Sequence, residues 1–175
     1  MGEVILSAKQ IKAEALRLGF SACGMAPAEP VNTAIADAFS RWQAQGMQAN
    51  MNYMGNYLDK RLDPRLLMEG VRTILSVALH YYPARQLRED QYQFAWYAYG
   101  KDYHDLMKTR LTALQAYISA HSPLPLQSRV FCDTAPVLER YWAYRAGLGW
   151  IGKNTQLIIP HAGSCFFLGE LFLDM

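Results

Sequence analysis

A carboxylate placed between a strand and a helix is well sited for chemistry, and Phe131-Cys132-Asp133-Thr134-Ala135-Pro136 offers one. The run ending at Phe131 reads as a strand and Pro136 as the opening of a helix, which leaves Asp133 at the junction. Two roles are open to it. As a cap, Asp133 or Thr134 would accept free N–H groups of the helix. As a general acid, Asp133 would need desolvation, which raises a carboxyl pKa until it holds a proton near neutral pH. A second constellation is Asp102-Tyr103-His104 at the start of another helical segment. Either Asp102 caps that helix with Tyr103 and His104 in its first turn, or the three line a pocket.

Two further motifs fail on context. Asp102-Tyr103-His104 begins like the D-x-H-x-x-G signature through which some cobalamin proteins supply an axial histidine, but Met107 stands in the glycine position. Histidine ligation is therefore unsupported. Gly147-Leu148-Gly149-Trp150-Ile151-Gly152 matches G-x-G-x-x-G, yet a helix precedes it where a dinucleotide fingerprint needs a strand. With Lys153 the stretch also fits G-x-x-x-x-G-K, but Asn154 replaces the hydroxyl that a P-loop uses for magnesium. The physical content that survives is a glycine loop whose amides can approach a flat or anionic ligand, with Lys153 and Asn154 as donors. A helix cap and tight turn would explain Gly147 without requiring the other glycines.

The elements that must position these residues follow from periodicity. Residues 7–19 read as a helix capped by Ser7, with Ile11, Ala15 and Leu18 on one stripe, and residues 20–25 as a strand. Residues 31–45 carry Ile35, Phe39 and Trp42 at helical spacing, and 47–64 read as a short helix in an irregular, functional connection. Residues 71–82 and 92–99 read as strands, and 102–120 as a helix with Met107, Leu111, Leu114 and Ile118 inward. A helix from Pro136 carries Leu138, Tyr141, Trp142 and Arg145, and strands at 156–159 and 164–173 form a hairpin around 160–163. This order predicts an α+β fold, a mixed, largely antiparallel sheet flanked by helices in a single domain.

Composition narrows the classes. Hydrophobic residues at 51% and charged residues at 18% of 175 exclude disorder, and a net charge of +2 is too small to indicate a strong nucleic-acid or membrane field. No apolar run approaches the roughly 20 residues of a membrane span. The N-terminal segment is polar, without a signal-peptide core, so a cytoplasmic location is expected. Cys23, Cys132 and Cys165 are scattered, with no C-x-x-C, which predicts reduced, buried thiols and excludes a cysteine-ligated metal cluster within these residues.

Taken together, Tyr99-Gly100-Lys101-Asp102-Tyr103-His104, the stretch from Asp133-Thr134-Ala135-Pro136 to Glu139-Arg140, Ala146 through Asn154, and Gly163-Ser164 with Leu168-Gly169-Glu170 resemble the N-terminal part of epoxyqueuosine reductase in order and spacing. The resemblance implies reduction of the epoxide of epoxyqueuosine in tRNA, with base-off cobalamin and two [4Fe-4S] clusters, and kinship with reductive dehalogenases. It implies Asp133 as the proton donor, close to the cofactor, and Arg140 near the cobalt. Gly149, Gly152, Lys153, Asn154, Thr155 and Ser164 would contact the corrin amides and nucleotide tail, and Arg61 would also touch cofactor. Asp102, Tyr103 and His104 would lie near substrate; no residue is implied as a metal ligand. The family's cluster cysteines follow the strand ending at Leu173. Residues 1–175 are therefore expected to be the cobalamin and catalytic domain of a longer protein, without the ferredoxin-like and helical-repeat regions. Such a chain would bind no iron–sulfur cluster, depend on the missing cluster region for electrons, act as a monomer on its tRNA partner, and be inactive alone.

Two other functions fit the residues. Eleven Tyr and four Trp could form stacking platforms of an RNA-binding module without catalysis, although their periodic, apolar settings favour core packing. A related cobalamin or flavin reductase of another substrate is the second alternative.

Overall fold

The computed structural model describes residues 6–175. The expectation of an N-terminus without a signal-peptide core, so far as it concerns residues 1–5, lies outside the described residues. Helix α1 (Ala8–Arg17) starts with a capping box: the Ser7 hydroxyl accepts the Gln10 N–H, and the Gln10 side chain accepts the Ser7 N–H. Strand β1 (Ala22–Pro27) and helix α2 (Thr33–Ala44, capped by Asn32) follow. A single-turn α3 (Leu58–Leu62) lies between 3₁₀ turns at Asn52–Gly55 and Pro64–Leu66, and strand β2 (Thr73–His80) comes next. Helix α4 (Tyr103–His121), strand β3 (Ser128–Phe131), helix α5 (Glu139–Arg145), the short strands β4 (Trp150–Ile151) and β5 (Leu157–Ile158), and β6 (Phe166–Leu173) complete the order.

Four strands form one sheet in the order β1-β2-β6-β3, and every pairing is antiparallel. The α+β fold expected from the sequence is the one observed. The central strands β2 and β6 are buried on both faces, so they read as continuous apolar runs rather than alternating ones. Alternation sends Leu75, Val77, Leu79, Leu171 and Leu173 to one face, where Ile11 and Ala15 of α1 and Met107, Leu111, Leu114 and Ile118 of α4 cover them. The opposite face holds Ile74 and Phe172 under Trp142 of α5, together with Val31, Met68 and Val71 from loops. On that face Gly24 admits the end of α5, since a Cβ there would sit 2.1 Å from the Ala146 carbonyl oxygen.

Four local expectations change. Residues 92–99 form no strand, only a 3₁₀ turn at Trp96–Ala98. Alternation at Tyr92, Phe94 and Trp96 supplies the period but not a partner, because β1 and β6 already occupy both edges of β2. The helix expected from Pro136 begins at Glu139, because residues 133–138 turn tightly, with Thr134 N–H to the Cys132 carbonyl and Val137 N–H to the Ala135 carbonyl. Strand β5 pairs with β4 instead of forming a hairpin with β6; only an Ile159–Gly163 bridge marks the expected turn. The aromatics pack as core only in part: Trp142 is buried and Tyr103, Tyr117 and Tyr141 pack against the core, but every tyrosine keeps part of its surface open, and Tyr92 is 92% exposed. Tyrosine tolerates this because its ring is apolar and its hydroxyl prefers water or a partner.

Candidate active site

Asp133 sits just beyond the C-terminal end of β3, in the left-handed region at φ 59°. Asp is one of the few residues for which that conformation is common. Its carboxylate accepts a hydrogen bond from the Tyr103 hydroxyl, and His104 Nε2 lies 3.5 Å from the same oxygen. Its backbone N–H donates to the Glu139 carboxylate in the first turn of α5. Three elements thus fix one aspartate: the end of β3, the start of α4 and the start of α5.

Asp102 serves as the N-cap of α4, accepting the His104 N–H at 2.8 Å, and also reaches the His104 ring at 2.9 Å. The capping role is the one observed: none of the three residues lines the pocket beside Asp133, but the cap orients the turn that presents Tyr103 and His104 to Asp133. Those backbone and ring bonds hold the Asp102 carboxyl below its ordinary range. Tyr103 stacks flat on Phe167, centroids 4.1 Å apart, and burial together with the Asp133 bond pushes its phenol up. The desolvation expected at Asp133 falls on its neighbours instead. Asp133 itself is exposed, whereas burial pushes Glu139 up to about 7.

Asp133 forms part of the wall of a bowl of about 1420 Å³. Its other walls are α2 with Ile35 and Phe39, the connection with Tyr53, Tyr57 and Arg61, α5 with Arg140 and Tyr144, and the β4 region with Trp150 and Thr155. Ile35 and Phe39 of the α2 stripe form a pocket wall, and no residue of α2 is buried. Three of the bowl's residues, Tyr57, Asp133 and Thr155, are non-glycine residues with positive φ. Strained conformations of this kind collect where function requires them. Thr155, β-branched and at φ 64°, is held by Arg140, whose Nη1 donates to its carbonyl at 2.6 Å. Arg61 lies 5.9 Å over the Phe39 ring, and its buried Nε has no partner in the structure. Burial also pushes its guanidinium down.

Of the residues singled out in the sequence, Arg61, Asp133, Arg140 and Thr155 line the bowl, and Tyr103 and His104 reach it through Asp133. Gly149, Gly152, Lys153, Asn154 and Ser164 are not among the bowl's lining residues. A Cβ on Gly149 would lie 2.0 Å from the Ile158 carbonyl oxygen, and one on Gly152 2.5 Å from Ile158 Cδ1. These two glycines let the 149–152 segment close on β5. Lys153 and Asn154 are exposed in the intervening turn, where Asn154 accepts the Gln156 N–H, and Ser164 lies half-buried before β6. Sequence reasoning missed Glu139 and the aromatic walls at Phe39, Tyr53, Tyr57, Tyr144 and Trp150. The apolar face of α2 was the available signal, but it reads alike for a core and for a pocket.

Among the described residues no group of three or more His, Cys, Asp and Glu side chains is arranged to hold a metal ion, and the three cysteines are free. Nor is any helix among them long and apolar enough to cross a membrane.

A family model described as epoxyqueuosine reductase QueG, DUF1730, matches residues 61–134. An epoxyqueuosine reductase of Cellulophaga algicola is 43% identical over 165 residues, covering 94% of this chain and 53% of the relative. The chain spans about half the length of the curated relatives it matches. A crystal structure of epoxyqueuosine reductase with a tRNA-Tyr epoxyqueuosine-modified tRNA stem loop shares the fold at TM-score 0.84 and 24% identity, over 95% of this chain and 44% of that one. A reductive dehalogenase structure, described as suggesting a mechanism for B12-dependent dehalogenation, shares it at TM-score 0.57 and 18% identity, over 99% of this chain and 20% of that one. By sequence along nearly its whole length, and by the fold that presents Asp133 to the bowl, the chain belongs to the epoxyqueuosine reductase family.

Proposed function

We propose that this chain is the cobalamin-binding, catalytic part of an oxidoreductase that reduces epoxyqueuosine in tRNA, with Asp133 as proton donor. The observation that carries the reading is Asp133 itself, held by Tyr103, His104 and Glu139 in a left-handed turn on the wall of a large aromatic bowl. The bowl suits a corrin. At about 1420 Å³ it exceeds the ~300–1,000 Å³ of ordinary small-molecule pockets, its walls are aromatic, and Arg61 carries a buried Nε in want of an acceptor. Arg61, Arg140 and Thr155 would hold the ring, with Gly149, Gly152, Lys153, Asn154 and Ser164 toward the nucleotide tail. When bound, reduced cobalamin supplies the two electrons of the reaction.

The residues of this chain handle protons and position. Conversion of an epoxide to an alkene breaks two C–O bonds, forms a C=C bond, consumes two electrons and two protons, and releases the oxygen as water. Asp133 gives a proton to the epoxide oxygen, while Tyr103 and His104 hold its carboxyl toward the bowl. A ligand filling the bowl would displace water from Asp133 and supply the desolvation that the protein alone does not. Iron–sulfur clusters elsewhere in the complete protein would deliver the electrons, in keeping with the half-length coverage of the relatives.

The test is Asp133→Asn in the complete protein. Turnover is expected to fall about 10²–10⁴-fold while the bound cob(II)alamin visible and EPR spectra persist; undiminished turnover overturns the acid assignment. A second reading, an RNA-binding module without catalysis, is favoured by the exposed Tyr82, Tyr92, Phe94, Trp96 and Tyr97 in one connection. It predicts that a tRNA anticodon stem-loop binds the chain while cob(II)alamin does not.

A further inference from the structure

No residue of β6 lines the bowl, yet the strand passes close to the Asp133 turn. Phe131 pairs with Glu170, and the Cys132 thiol donates to the Leu168 carbonyl at 3.8 Å. Side chains alternate along a strand, so Phe167, Leu171 and Leu173 share the face that α4 covers, and position 169 between them is glycine.

Gly169 presents no side chain to α4. A Cβ there would meet Met107 Cε at 2.7 Å and Leu111 Cδ1 at 2.9 Å, so the missing side chain lets the helix settle on the strand. Tyr103 is one turn before Met107, and the same close approach brings the first turn of α4 down to Phe167. There the Tyr103 and Phe167 rings stack with centroids 4.1 Å apart and planes 2° from parallel. Tyr81 packs on Phe167 as well, at 4.7 Å, and its backbone N–H donates to the Cys165 carbonyl at 3.0 Å. Phe167 is thus held by β2 while it holds α4.

The hydroxyl of a tyrosine stands at the end of a rigid ring, so a fixed ring plane fixes where the hydroxyl can reach. In Tyr103 it reaches the Asp133 carboxylate. Among the described residues that is the one side-chain hydrogen bond this carboxylate accepts, and His104 Nε2 stands farther off at 3.5 Å. Packing alone would not ask for a phenylalanine at 167. Leucine would cover Tyr103, but it has no face on which a ring can lie flat.

We infer that Phe167 is a positioning residue for Asp133, acting through Tyr103: its ring fixes the plane of the phenol, and the phenol aims the Asp133 carboxyl into the bowl. The inference rests on the reading of Asp133 as proton donor. Gly169 takes part by leaving room, since a side chain there would hold α4 and Tyr103 away from β6. Reacting groups are sensitive to such placement, and a displacement of about 1 Å can cost on the order of 10²-fold in rate.

The test uses Phe167→Leu, Phe167→Tyr, Tyr103→Phe and the combination of Phe167→Leu with Tyr103→Phe, in the complete protein loaded with cobalamin. Phe167→Leu should lower kcat about tenfold at unchanged KM, with the cob(II)alamin visible and EPR spectra unchanged, because only the aim of the acid is disturbed. Phe167→Tyr keeps the flat ring and should keep the wild-type kcat. Tyr103→Phe removes the hydroxyl that reaches Asp133 and should lower kcat at least as far. In that background Phe167→Leu should have no further effect, whereas a residue serving the fold alone would act equally in both. Before cobalamin is added, the Tyr103 hydroxyl proton should appear as a downfield NMR signal that Tyr103→Phe removes and Phe167→Leu loses to exchange with water. A wild-type kcat in Phe167→Leu, an equal fall in both backgrounds, or a hydroxyl signal that persists in Phe167→Leu overturns the inference. If Asp133→Asn retains turnover, the reading of Asp133 fails as well; if Asp133→Asn is inactive while Phe167→Leu acts equally in both backgrounds, only the role of Phe167 fails.

Discussion

The two faces of the central sheet are built to different standards. Under α1 and α4 the packed side chains are apolar and mostly aliphatic, and Leu111, Leu114 and Ile118 are fully buried. Under α5 the same strands carry Ser76 and Glu170 without partners, and the neighbouring turns hold Tyr57, Asp133 and Thr155 at positive φ. One face is packed as proteins pack for stability; the other keeps buried polar groups and backbone strain that packing alone would remove. Unsatisfied groups and strain lodged beside a large bowl indicate that the second face answers to chemistry.

The largest effect expected from this contrast is on the regular face. Leu111→Ala removes a fully buried side chain from α4 and should cost about 2–5 kcal/mol in chemical denaturation, with cob(II)alamin affinity of the surviving folded protein unchanged. A loss of affinity as large as the loss of stability would show that the two faces do not act separately.

The same division explains what could be read from the sequence. The stripe of Met107, Leu111, Leu114 and Ile118, the Ser7 cap and the apolar runs of β2 and β6 are local signals of period, and the structure follows them. The resemblance carried Asp133, Arg61, Arg140 and Thr155 into one bowl, but periodicity alone could not. Glu139 stands in the stretch that carries the resemblance but has no role legible there, because one acid in the first turn of a helix is ordinary; its importance comes from the Asp133 N–H, which arrives through a turn that Pro136 obscured. Likewise the glycines of 147–154 announce close approach, and only the fold shows that the partner is β5.

A smaller effect tests the cost of the second face. Folded Glu170 keeps its proton at pH values where the unfolded chain releases it, so the unfolded state binds fewer protons and stability falls as pH rises above the ordinary carboxylate range. Glu170→Gln should reduce that dependence in urea denaturation measured across pH to the part that Glu139, raised to about 7, still contributes. Glu170→Leu should reduce it equally and add about 1–3 kcal/mol, because no polar group is left buried at that position. If wild-type stability is flat above the carboxylate range, Glu170 is not desolvated as the structure has it.

The smallest effect concerns the backbone. A threonine at φ 64° is an outlier for a β-branched side chain, whereas glycine adopts the same conformation freely. Against this relief stands the greater freedom glycine has when unfolded, which leaves a net gain of about 1 kcal/mol for Thr155→Gly, or about 2–4 °C in melting temperature. The substitution keeps the carbonyl that receives Arg140 at 2.6 Å but deletes the hydroxyl 3.4 Å from the same guanidinium nitrogen and the side chain bordering the bowl. Cob(II)alamin affinity should therefore fall while the melting temperature rises. Opposite signs for one substitution are what strain held for binding predicts; a variant that loses both would mean that Thr155 is there for the fold, and that the two faces differ less than their side chains suggest.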